Sequence, residues 1–530
     1  MRGLLAMIDK RVCVGSAAVC IVFIVWAMTS PVRAGAVLNA VLSVLTTNFG
    51  WLYLGAVFFF IGFLIWIALG KSGTIKLGHD DDHPEYKTSS WFFMLFAAGM
   101  GIGLVYWSVS EPMSMYLNPP LREGRTVAAA KEALAYTFLH WGVHPWACYA
   151  VVGLILAYFQ HRLGRPALFS SCFAPLWGEK NSWRAPGAIV DALAVIATVF
   201  GVSTSLGMGA MQINSGLHAV FGIPVSTGVS IIVIAVTTLL FVASAAVGIK
   251  KGMKRLSNLN MVLVAILIAV VFLAGATVFV LNYLMESTGI YLNGFIYASL
   301  WADAFGEAPG WLGAWTVFYW AWWISWTPFV GGFIARISRG RTIREFVFGV
   351  LVFPALFSMF FIAVLGGNAI HLDLAGSTAV AEALAIDPSY SLFALLQQFP
   401  LAGVLSVVAL VLIVIFFVTS ADSATGVCAQ MTTGGRNETS ALVKVFWGLI
   451  MALVSAILLV SGGLSALQTA SVIVAFPFMF VIFGMIASFV RALSDDTIAP
   501  VEWIFDENPA DDVHAVLRLP GAASGSDGNP

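Results

Sequence analysis

Long apolar stretches separated by short polar segments dominate the chain. Each stretch is near 20 residues, the length of helix that crosses a hydrocarbon core of about 30 Å. The pattern predicts twelve transmembrane helices, at residues 12–30, 49–69, 91–111, 140–159, 188–210, 228–248, 258–282, 311–335, 346–366, 402–421, 442–461 and 470–490. We therefore expect an all-α membrane protein with twelve transmembrane helices.

Composition and charge agree with this class. The 530 residues are 60% hydrophobic and 10% charged, whereas soluble domains run near 25% charged. A formal net charge of −1 provides no basic field, so we expect no nucleic-acid partner. The five cysteines have neither CxxC nor zinc-ligand spacing, which argues against a metal or disulfide framework.

The Lys and Arg residues predict the orientation, because cytoplasmic loops are enriched in them. With the N-terminus inside, 22 of the 26 lie on the cytoplasmic side. The four outside are Arg33, Arg122, Arg125 and Lys131. We predict a multi-pass protein of the cell inner membrane with both termini cytoplasmic. The first apolar run also resembles a signal peptide, but its roughly 17 residues exceed the usual hydrophobic region, so we interpret it as a retained helix.

Two segments lie outside the predicted spans. Residues 286–306 mix aromatic and polar residues, a pattern typical of an amphipathic helix at the membrane interface. The tail at 494–530 carries eight acidic residues and only Arg518 as a basic one. We interpret it as a short acidic cytoplasmic tail.

The third predicted span has glycine at every second position, at Gly99, Gly101 and Gly103. Each lowers helix stability by about 1 kcal/mol relative to alanine, so one interpretation is local unwinding. The alternative is close helix packing, because Gly99 and Gly103 also have small-xxx-small spacing.

The tenth predicted span ends in the hydroxyl-rich segment FFVTSADSAT, residues 416–425. Oxygen ligands suit a small hard cation, and broken helices form ion sites in secondary transporters. The alternative is that Thr419 and Ser420 bond back to carbonyls of their own helix.

Aromatic residues cluster at the expected depth of the membrane interior. The eighth span contains Trp320, Trp322, Trp323 and Trp326. They precede Arg336 by about 15–24 Å of helix, so an interfacial belt cannot account for all of them. The fourth span adds Trp141, Trp146 and Tyr149. Facing rings bind a quaternary ammonium by cation–π attraction, and the scarcity of acidic groups favours a net-neutral zwitterion.

Five segments closely resemble the betaine/choline/carnitine transporter family. They are GMGIGLVYWSVSEP (99–112), HWGVHPWACY (140–149), ATVFGVSTSLGMGAMQ (197–212), WAWWISWTPFVGGFIARISRGRTIREF (320–346) and FFVTSADSAT (416–425). The resemblance covers essentially the whole membrane core. It implies a LeuT-like fold, in which two extra N-terminal helices precede two inverted five-helix repeats, and family members are often homotrimers.

The implied domains follow from this fold. They are an N-terminal region with two peripheral helices at 1–90, the first repeat at 91–285, the interfacial helix at 286–306, the second repeat at 307–493 and the tail at 494–530.

Carried over residue by residue, the resemblance implies three sites. The substrate site consists of an aromatic box at Trp141, Trp146, Tyr149 and Trp323, with Trp322, Trp326, Gly101 and Gly103 beside it. The sodium site consists of backbone carbonyls of Ala97 and Met100 together with Phe416, Thr419 and Ser420. A possible second sodium site consists of Thr198 and Phe329, although Val202 replaces a family threonine there.

The implied function is sodium-driven symport of a zwitterionic onium compatible solute by alternating access. Gly103 stands where choline-preferring relatives tend to carry aspartate, which favours a zwitterion, and glycine betaine is the first expectation. Dimethylsulfoniopropionate, choline and carnitine remain alternatives, as does coupling to protons. We expect no cofactor other than the coupling ion, and membrane lipid as the surrounding partner.

Two other classes compete with a transporter. A membrane-embedded enzyme would use Glu111, His140 and His144 as acid and base, but no nucleophile or metal triad accompanies them. A channel would generally need rings of carbonyls or charges. We therefore expect no enzymatic activity.

Overall fold

The structure is a computed structural model. It describes residues 8–99, 101–182, 184–247, 250–436 and 439–494, and the short strands Glu502–Ile504 and Val516–Arg518. The two strands pair antiparallel. The rest of the predicted acidic tail lies outside the described residues.

Helices make up nearly all of the described chain. They are α1 Lys10–Thr29, α2 Pro31–Leu69, α3 Thr88–Gly99, α4 Ile102–Leu117, α5 Val127–Trp141, α6 Val143–Ala157, α7 Ala174–Trp177, α8 Glu179–Ser182, α9 Ala185–Phe221, α10 Thr227–Val247, α11 Lys250–Ala274, α12 Thr277–Asn293, α13 Phe295–Leu300, α14 Phe318–Ile337, α15 Ile343–Leu374, α16 Ala379–Ile386, α17 Ser391–Leu396, α18 Ala402–Thr432 and α19 Ala441–Ser494. Single π-helical turns follow α6 at Tyr158–Arg162 and precede α14 at Gly313–Val317.

Each predicted span overlaps at least one of these helices. Within the described residues, eight helical segments are long and apolar enough to cross a membrane. One of them, α19, contains two predicted spans, and Gly462 and Gly463 leave helical geometry between these spans. The chain is a multi-pass helical membrane protein, and the count of twelve crossings stays a prediction.

Several helices extend beyond the predicted spans. Helix α2 begins at Pro31, because proline is well tolerated in the first helical turn, and Arg33 lies in that turn rather than in a loop. Helix α5 begins at Val127, well before the fourth predicted span. The segment predicted as one interfacial helix is divided between the end of α12 and the short α13.

The loops predicted on the cytoplasmic side meet in space. Arg162 contacts Asp80 at 2.9 Å, and Arg339 contacts Asp82 at 3.0 Å. The backbone N–H of Leu77 donates to the Arg341 carbonyl at 2.8 Å. Hydrogen bonding to Arg339 lowers the pKa of the Asp82 carboxyl, so this carboxyl stays ionised to lower pH than a free aspartate. The segment between α2 and α3 is thereby docked on the α14–α15 connection.

A second group of ion pairs joins the segments predicted on the other side. Arg122 contacts Glu132 at 2.7 Å, and Arg125 contacts Asp373 at 2.7 Å. Lys131 contacts Glu286 at 3.1 Å. In both groups, each of these basic residues pairs with an acidic residue predicted on the same side of the membrane. Which side faces the cytoplasm stays a prediction.

We predict that Gly340→Ala loosens the docked segment. Gly340 has φ of 81°, and a Cβ there would lie 2.3 Å from the His83 carbonyl oxygen. The strain of a left-handed non-glycine residue is about 1–3 kcal/mol, before counting this overlap. Limited trypsin digestion, read by mass spectrometry, should show faster cleavage after Lys76.

Gly332→Ala is the matched control, because a Cβ at Gly332 has nothing within 4 Å. Equal cleavage rates in the two variants would contradict the docking.

Candidate functional site

The third predicted span is broken in the structure. Helix α3 ends at Gly99 and α4 begins at Ile102, and Gly101 has φ of −140° and ψ of −126°. A Cβ on Gly101 would lie 3.5 Å from Ser420 Oγ and 3.6 Å from a ring carbon of Phe416. The break therefore lies beside the hydroxyl-rich end of the tenth predicted span.

The two glycines that flank this break admit tryptophan rings. A Cβ on Gly99 would lie 2.5 Å from the Trp146 ring. A Cβ on Gly103 would lie 2.5 Å from Trp322 and 3.4 Å from Trp141. Unwinding is therefore observed at Gly101. Gly99 and Gly103 lie on different helices and make room for tryptophan rings, so they do not form the single small-xxx-small face of the alternative interpretation.

A second break divides the fourth predicted span. Trp141 ends α5 and Val143 begins α6, while Gly142 between them has φ of −85° and ψ of −124°. Trp141 therefore belongs to a different helix from Trp146 and Tyr149. Both helices contribute rings to the same buried cluster.

The four residues predicted as an aromatic box lie together, and all are at most 2% exposed. The ring centroids of Trp141 and Trp323 are 4.9 Å apart with planes at 75°. Tyr149 lies 6.2 Å from Trp323 at 80°, and Trp146 lies 5.7 Å from Tyr149 at 84°. These near-perpendicular contacts are a favoured aromatic geometry. We refer to these four residues as the aromatic box.

The two further tryptophans of α14 continue this cluster. Trp322 stacks on Trp323, with centroids 4.7 Å apart and planes at 18°. Trp326 lies 6.2 Å from Trp322, and its Nε1 donates to the Gly201 carbonyl at 2.8 Å. That hydrogen bond joins α14 to α9, so the tryptophan-rich face of α14 points into the protein rather than toward lipid.

Polar atoms of the cluster differ in whether they have partners. Trp323 Nε1 donates to the His140 carbonyl at 3.0 Å. Trp146 Nε1, Tyr149 Oη and Trp322 Nε1 are buried without a hydrogen-bond partner among the described residues. A buried polar group that lacks a partner costs about 1–3 kcal/mol. The described residues therefore leave the hydrogen-bonding capacity of these three groups unused.

The fully buried carboxylate of Glu111 contacts residues of the cluster and of α14. Glu111 Oε1 lies 2.6 Å from His140 Nδ1, and Oε2 accepts from Trp141 Nε1 at 2.6 Å. The Tyr319 hydroxyl also donates to Oε2. His140 Nε2 lies 3.0 Å from Thr316 Oγ1. The carboxylate thus fixes one ring of the aromatic box and connects it to α14.

The sequence does not predict this role for Glu111. It suggests Glu111, His140 and His144 only as acid and base of the alternative enzyme. In the structure His144 Nε2 contacts Ser299 Oγ at 2.7 Å, and its ring stacks on Trp320. The available signal was the presence of an ionisable residue in an apolar span, which marks functional positions in membrane proteins.

The residues of the predicted sodium site are only partly described. Met100 lies outside the described residues, and of Ala97 only the helical backbone is described. Thr419 Oγ1 donates to the Ile415 carbonyl at 2.9 Å and approaches that of Phe416 at 3.3 Å. Back-bonding therefore occurs at Thr419, while Ser420 and Phe416 lie beside Gly101 as described above. The ion ligation itself stays a prediction.

The two residues of the possible second sodium site lie on packed helices, α9 and α14. Thr198 is buried, and its hydroxyl donates to the Ala194 carbonyl at 2.8 Å. Phe329 packs edge-on against Trp326, with centroids 5.6 Å apart. Val202, on the following turn of α9, is buried and offers no oxygen ligand from its side chain. This site also stays a prediction.

Broken helices around a buried cluster of aromatic rings and donors, in a chain of many apolar helices, are typical of membrane proteins that bind a small solute within the bilayer. Non-helical backbone at membrane depth is tolerated where it is enclosed by protein or lines a cavity. Discontinuous helices of this kind form the binding sites of secondary transporters.

The family's own sequence pattern gives the assignment. The chain matches the description "BCCT, betaine/carnitine/choline family transporter" over residues 11–498. It belongs to this family, and it is a transporter rather than an enzyme.

Curated relatives agree with this assignment. A probable glycine betaine transporter of Desulfitobacterium hafniense is 44% identical over 91% of this chain and 97% of its own. A glycine betaine transporter of Bacillus subtilis is 45% identical, over 89% and 92% of the two chains. An ectoine/hydroxyectoine transporter of Virgibacillus pantothenticus is 44% identical, over 90% and 95%.

We predict that Glu111→Leu destabilises the protein strongly. It leaves the donors of Trp141 and Tyr319 buried without an acceptor, and breaking such a network costs about 3–5 kcal/mol. Glu111→Gln should cost less, because the amide oxygen still accepts. The thermal unfolding midpoint in detergent should be lowest for Glu111→Leu, intermediate for Glu111→Gln and highest for the unmodified chain.

The control is Glu286→Gln, which removes a half-exposed ion pair with Lys131. Such pairs contribute about 0–1 kcal/mol. A midpoint of Glu111→Leu no lower than that of Glu286→Gln would contradict the role of this carboxylate.

Proposed function

We propose that this protein is a sodium-coupled symporter that imports a zwitterionic onium compatible solute, with glycine betaine as its principal substrate. The observation that carries the proposal is the aromatic box. Trp141 and Tyr149 meet the Trp323 ring edge to face, and Trp146 meets Tyr149 in the same way. Of the relatives named above, one is named a glycine betaine transporter and another a probable glycine betaine transporter, which supports the same substrate.

The box has the chemistry that a trimethylammonium head requires. This head has no N–H to donate, so it binds through cation–π attraction, about 2 kcal/mol for each desolvated ring. Three or four rings contribute about 6–8 kcal/mol, and micromolar binding corresponds to about 8 kcal/mol. The carboxylate of the solute and the coupling ion must offset the association costs.

The other half of the zwitterion is a carboxylate, which needs donors rather than rings. The buried and unpartnered Trp146 Nε1, Tyr149 Oη and Trp322 Nε1 provide such donors within the same cluster. Gly103 places no carboxylate beside Trp141 and Trp322, so nothing at that position repels the anionic end. We therefore favour a zwitterion over choline.

Ectoine is the second candidate substrate. One relative is named an ectoine/hydroxyectoine transporter at 44% identity, and ectoine also combines a delocalised cation with a carboxylate. Dimethylsulfoniopropionate and carnitine share the onium and carboxylate groups and belong in the same competition panel.

Sodium coupling is supported by the oxygen-rich surroundings of the helix break. Ser420 Oγ lies beside Gly101, and an unwound segment exposes backbone carbonyls, which suit a hard cation. Sodium and solute would both stabilise the same closed state. A membrane potential that is negative inside favours sodium entry by about 2.3 kcal/mol per 100 mV.

The proposed architecture is twelve crossings, with two N-terminal helices ahead of two inverted repeats at 91–285 and 307–493. Support comes from the overlap of every predicted span with a helix and from the break at Gly462 and Gly463 inside α19. We further propose that the protein lies in the inner membrane with both termini on the cytoplasmic side. We also propose that it forms a homotrimer, which crosslinking in membranes can test.

We predict that uptake requires sodium. Proteoliposomes with an inward sodium gradient should accumulate labelled glycine betaine, and uptake should fall to background when potassium or lithium replaces sodium. Unchanged uptake in potassium, together with loss of uptake on adding a protonophore, would instead establish proton coupling and remove sodium from the proposal.

We predict that Trp323→Leu raises the apparent KM for glycine betaine about 30-fold, because the variant loses roughly 2 kcal/mol of cation–π attraction. Trp323→Phe should retain part of the affinity, since phenylalanine keeps an aromatic face. The control is Trp66→Leu, at a site that is 59% exposed on α2. An unchanged KM in Trp323→Leu would remove this residue from the binding site.

A further inference from the structure

A fully buried pair of ionisable residues is in direct contact with the aromatic box. The side chains of Glu111 and His140 are both 0% exposed, and Glu111 Oε1 lies 2.6 Å from His140 Nδ1. Glu111 Oε2 accepts from Trp141 Nε1 at 2.6 Å. The His140 carbonyl accepts from Trp323 Nε1 at 3.0 Å. Recognition of an onium head by aromatic faces does not require an ionisable pair at this position, so the pair calls for a role of its own.

The contact between the carboxylate and the imidazole restricts the charge of this pair. One proton lies between Glu111 Oε1 and His140 Nδ1, because two lone pairs would otherwise face each other. With that proton alone, the pair carries one negative charge. A second proton at His140 Nε2 makes the pair neutral, whichever atom of the contact holds the first. The charge next to the aromatic box therefore depends on whether Nε2 is protonated.

His140 Nε2 is linked to a cavity that reaches the protein surface. It lies 3.0 Å from Thr316 Oγ1, and Thr316 lines a cavity of about 370 Å³. Leu121 and Tyr297 also line this cavity and are 40% and 65% exposed. We refer to it as the outer cavity, because its residue Arg122 belongs to a segment predicted outside.

The Thr316 hydroxyl can transfer a proton between the outer cavity and His140. A hydroxyl both donates and accepts, so it can donate to an unprotonated Nε2 and accept from a protonated one. A hydronium ion in the cavity gives a proton to Oγ1, and Oγ1 passes its own proton to Nε2. The hydronium becomes water, and the imidazole gains one proton.

Other titratable groups around the pair differ from it in chemistry or in place. Tyr319 of α14 donates its hydroxyl to Glu111, and tyrosines titrate near pH 10. His144 of α6 lies across the Trp320 ring, whose centroid is 4.8 Å from that of His144 and 5.7 Å from that of His140.

The remaining groups that face this region from α4, α5, α12, α13 and α15 are tyrosines or members of ion pairs. They are Tyr106, Tyr136, Tyr291, Tyr297, and the pairs Arg122–Glu132, Lys131–Glu286 and Arg125–Asp373.

We propose that Glu111, His140 and Thr316 form a proton-binding site, and that protonation of this site from the outer cavity weakens the binding of an onium head in the aromatic box. The inference rests on the proposed function, since it takes the onium solute from there. The unprotonated pair places one negative charge beside Trp141, which attracts the onium head. The second proton removes this attraction. Binding of the solute and binding of the proton therefore oppose each other.

The test is the affinity of the purified full-length protein for labelled glycine betaine at saturating sodium, between about pH 5 and pH 9, a range that spans histidine titration. We expect the dissociation constant to rise about tenfold toward acidic pH. Tetramethylammonium has no carboxylate for the pair to repel, so its competition should weaken more than tenfold over the same range. An equal or smaller effect on tetramethylammonium would overturn the electrostatic cause.

His140→Asn removes the second proton while its amide can still donate to Glu111 from near the Nδ1 position. We expect the affinity of this variant to be independent of pH. The matched control is His144→Gln, which replaces the neighbouring buried histidine and can still contact Ser299. It should keep the tenfold effect. A pH effect that persists in His140→Asn would overturn the assignment to this pair.

Thr316→Val tests the route, because it removes the hydroxyl at similar volume. After a rapid jump in pH, the change in bound glycine betaine should be several-fold slower in this variant than in the unmodified chain. Equal rates would overturn the transfer through Thr316.

A second readout needs no variant. In weakly buffered solution with a pH indicator, addition of glycine betaine should release protons, most strongly near the midpoint of the affinity change. Binding with equal affinity at every pH and without proton release would overturn the proton site and leave the proposed function standing. No binding at any pH would overturn both.

Discussion

The buried carboxylate of Glu111 sets the geometry on which the central site depends. It accepts hydrogen bonds from the Trp141 indole and the Tyr319 hydroxyl and contacts His140. In a low-dielectric interior an unpaired carboxylate is very costly, so the partners and the carboxylate hold one another in place. The result is an indole of the aromatic box whose N–H is already occupied and whose orientation is fixed.

The glycines of the third span matter because they allow rings and backbone to approach this site. At Gly99 and Gly103 the absence of a Cβ makes room for Trp146 and Trp322, and at Gly101 the backbone leaves the helix beside Ser420. A bilayer tolerates such breaks only where protein or an aqueous cavity satisfies the freed backbone groups. The places where helices break and where tryptophans cluster are therefore the same part of the molecule.

The sequence predicted this arrangement well where a residue type limits the structure strongly. Apolar length predicted where the helices lie, and the glycine pattern gave unwinding of the third span as one of two alternatives. The family resemblance named the four aromatic residues that lie together. Prediction failed for boundaries such as Pro31 and Val127, because hydropathy does not distinguish a membrane crossing from its helical extension. It also missed the role of Glu111, since its partners lie 29, 30 and 208 residues away along the chain.

The central claim is that aromatic faces recognise the positive charge of the solute head. The most direct measurement compares glycine betaine with 3,3-dimethylbutanoate, which has the same shape and carboxylate but carbon in place of the charged nitrogen, as competitors of labelled betaine binding. Loss of cation–π attraction to about three rings predicts that the carbon analogue competes at least about 100-fold more weakly. Equal competition by the two compounds would contradict the account, because shape and carboxylate alone would then explain recognition.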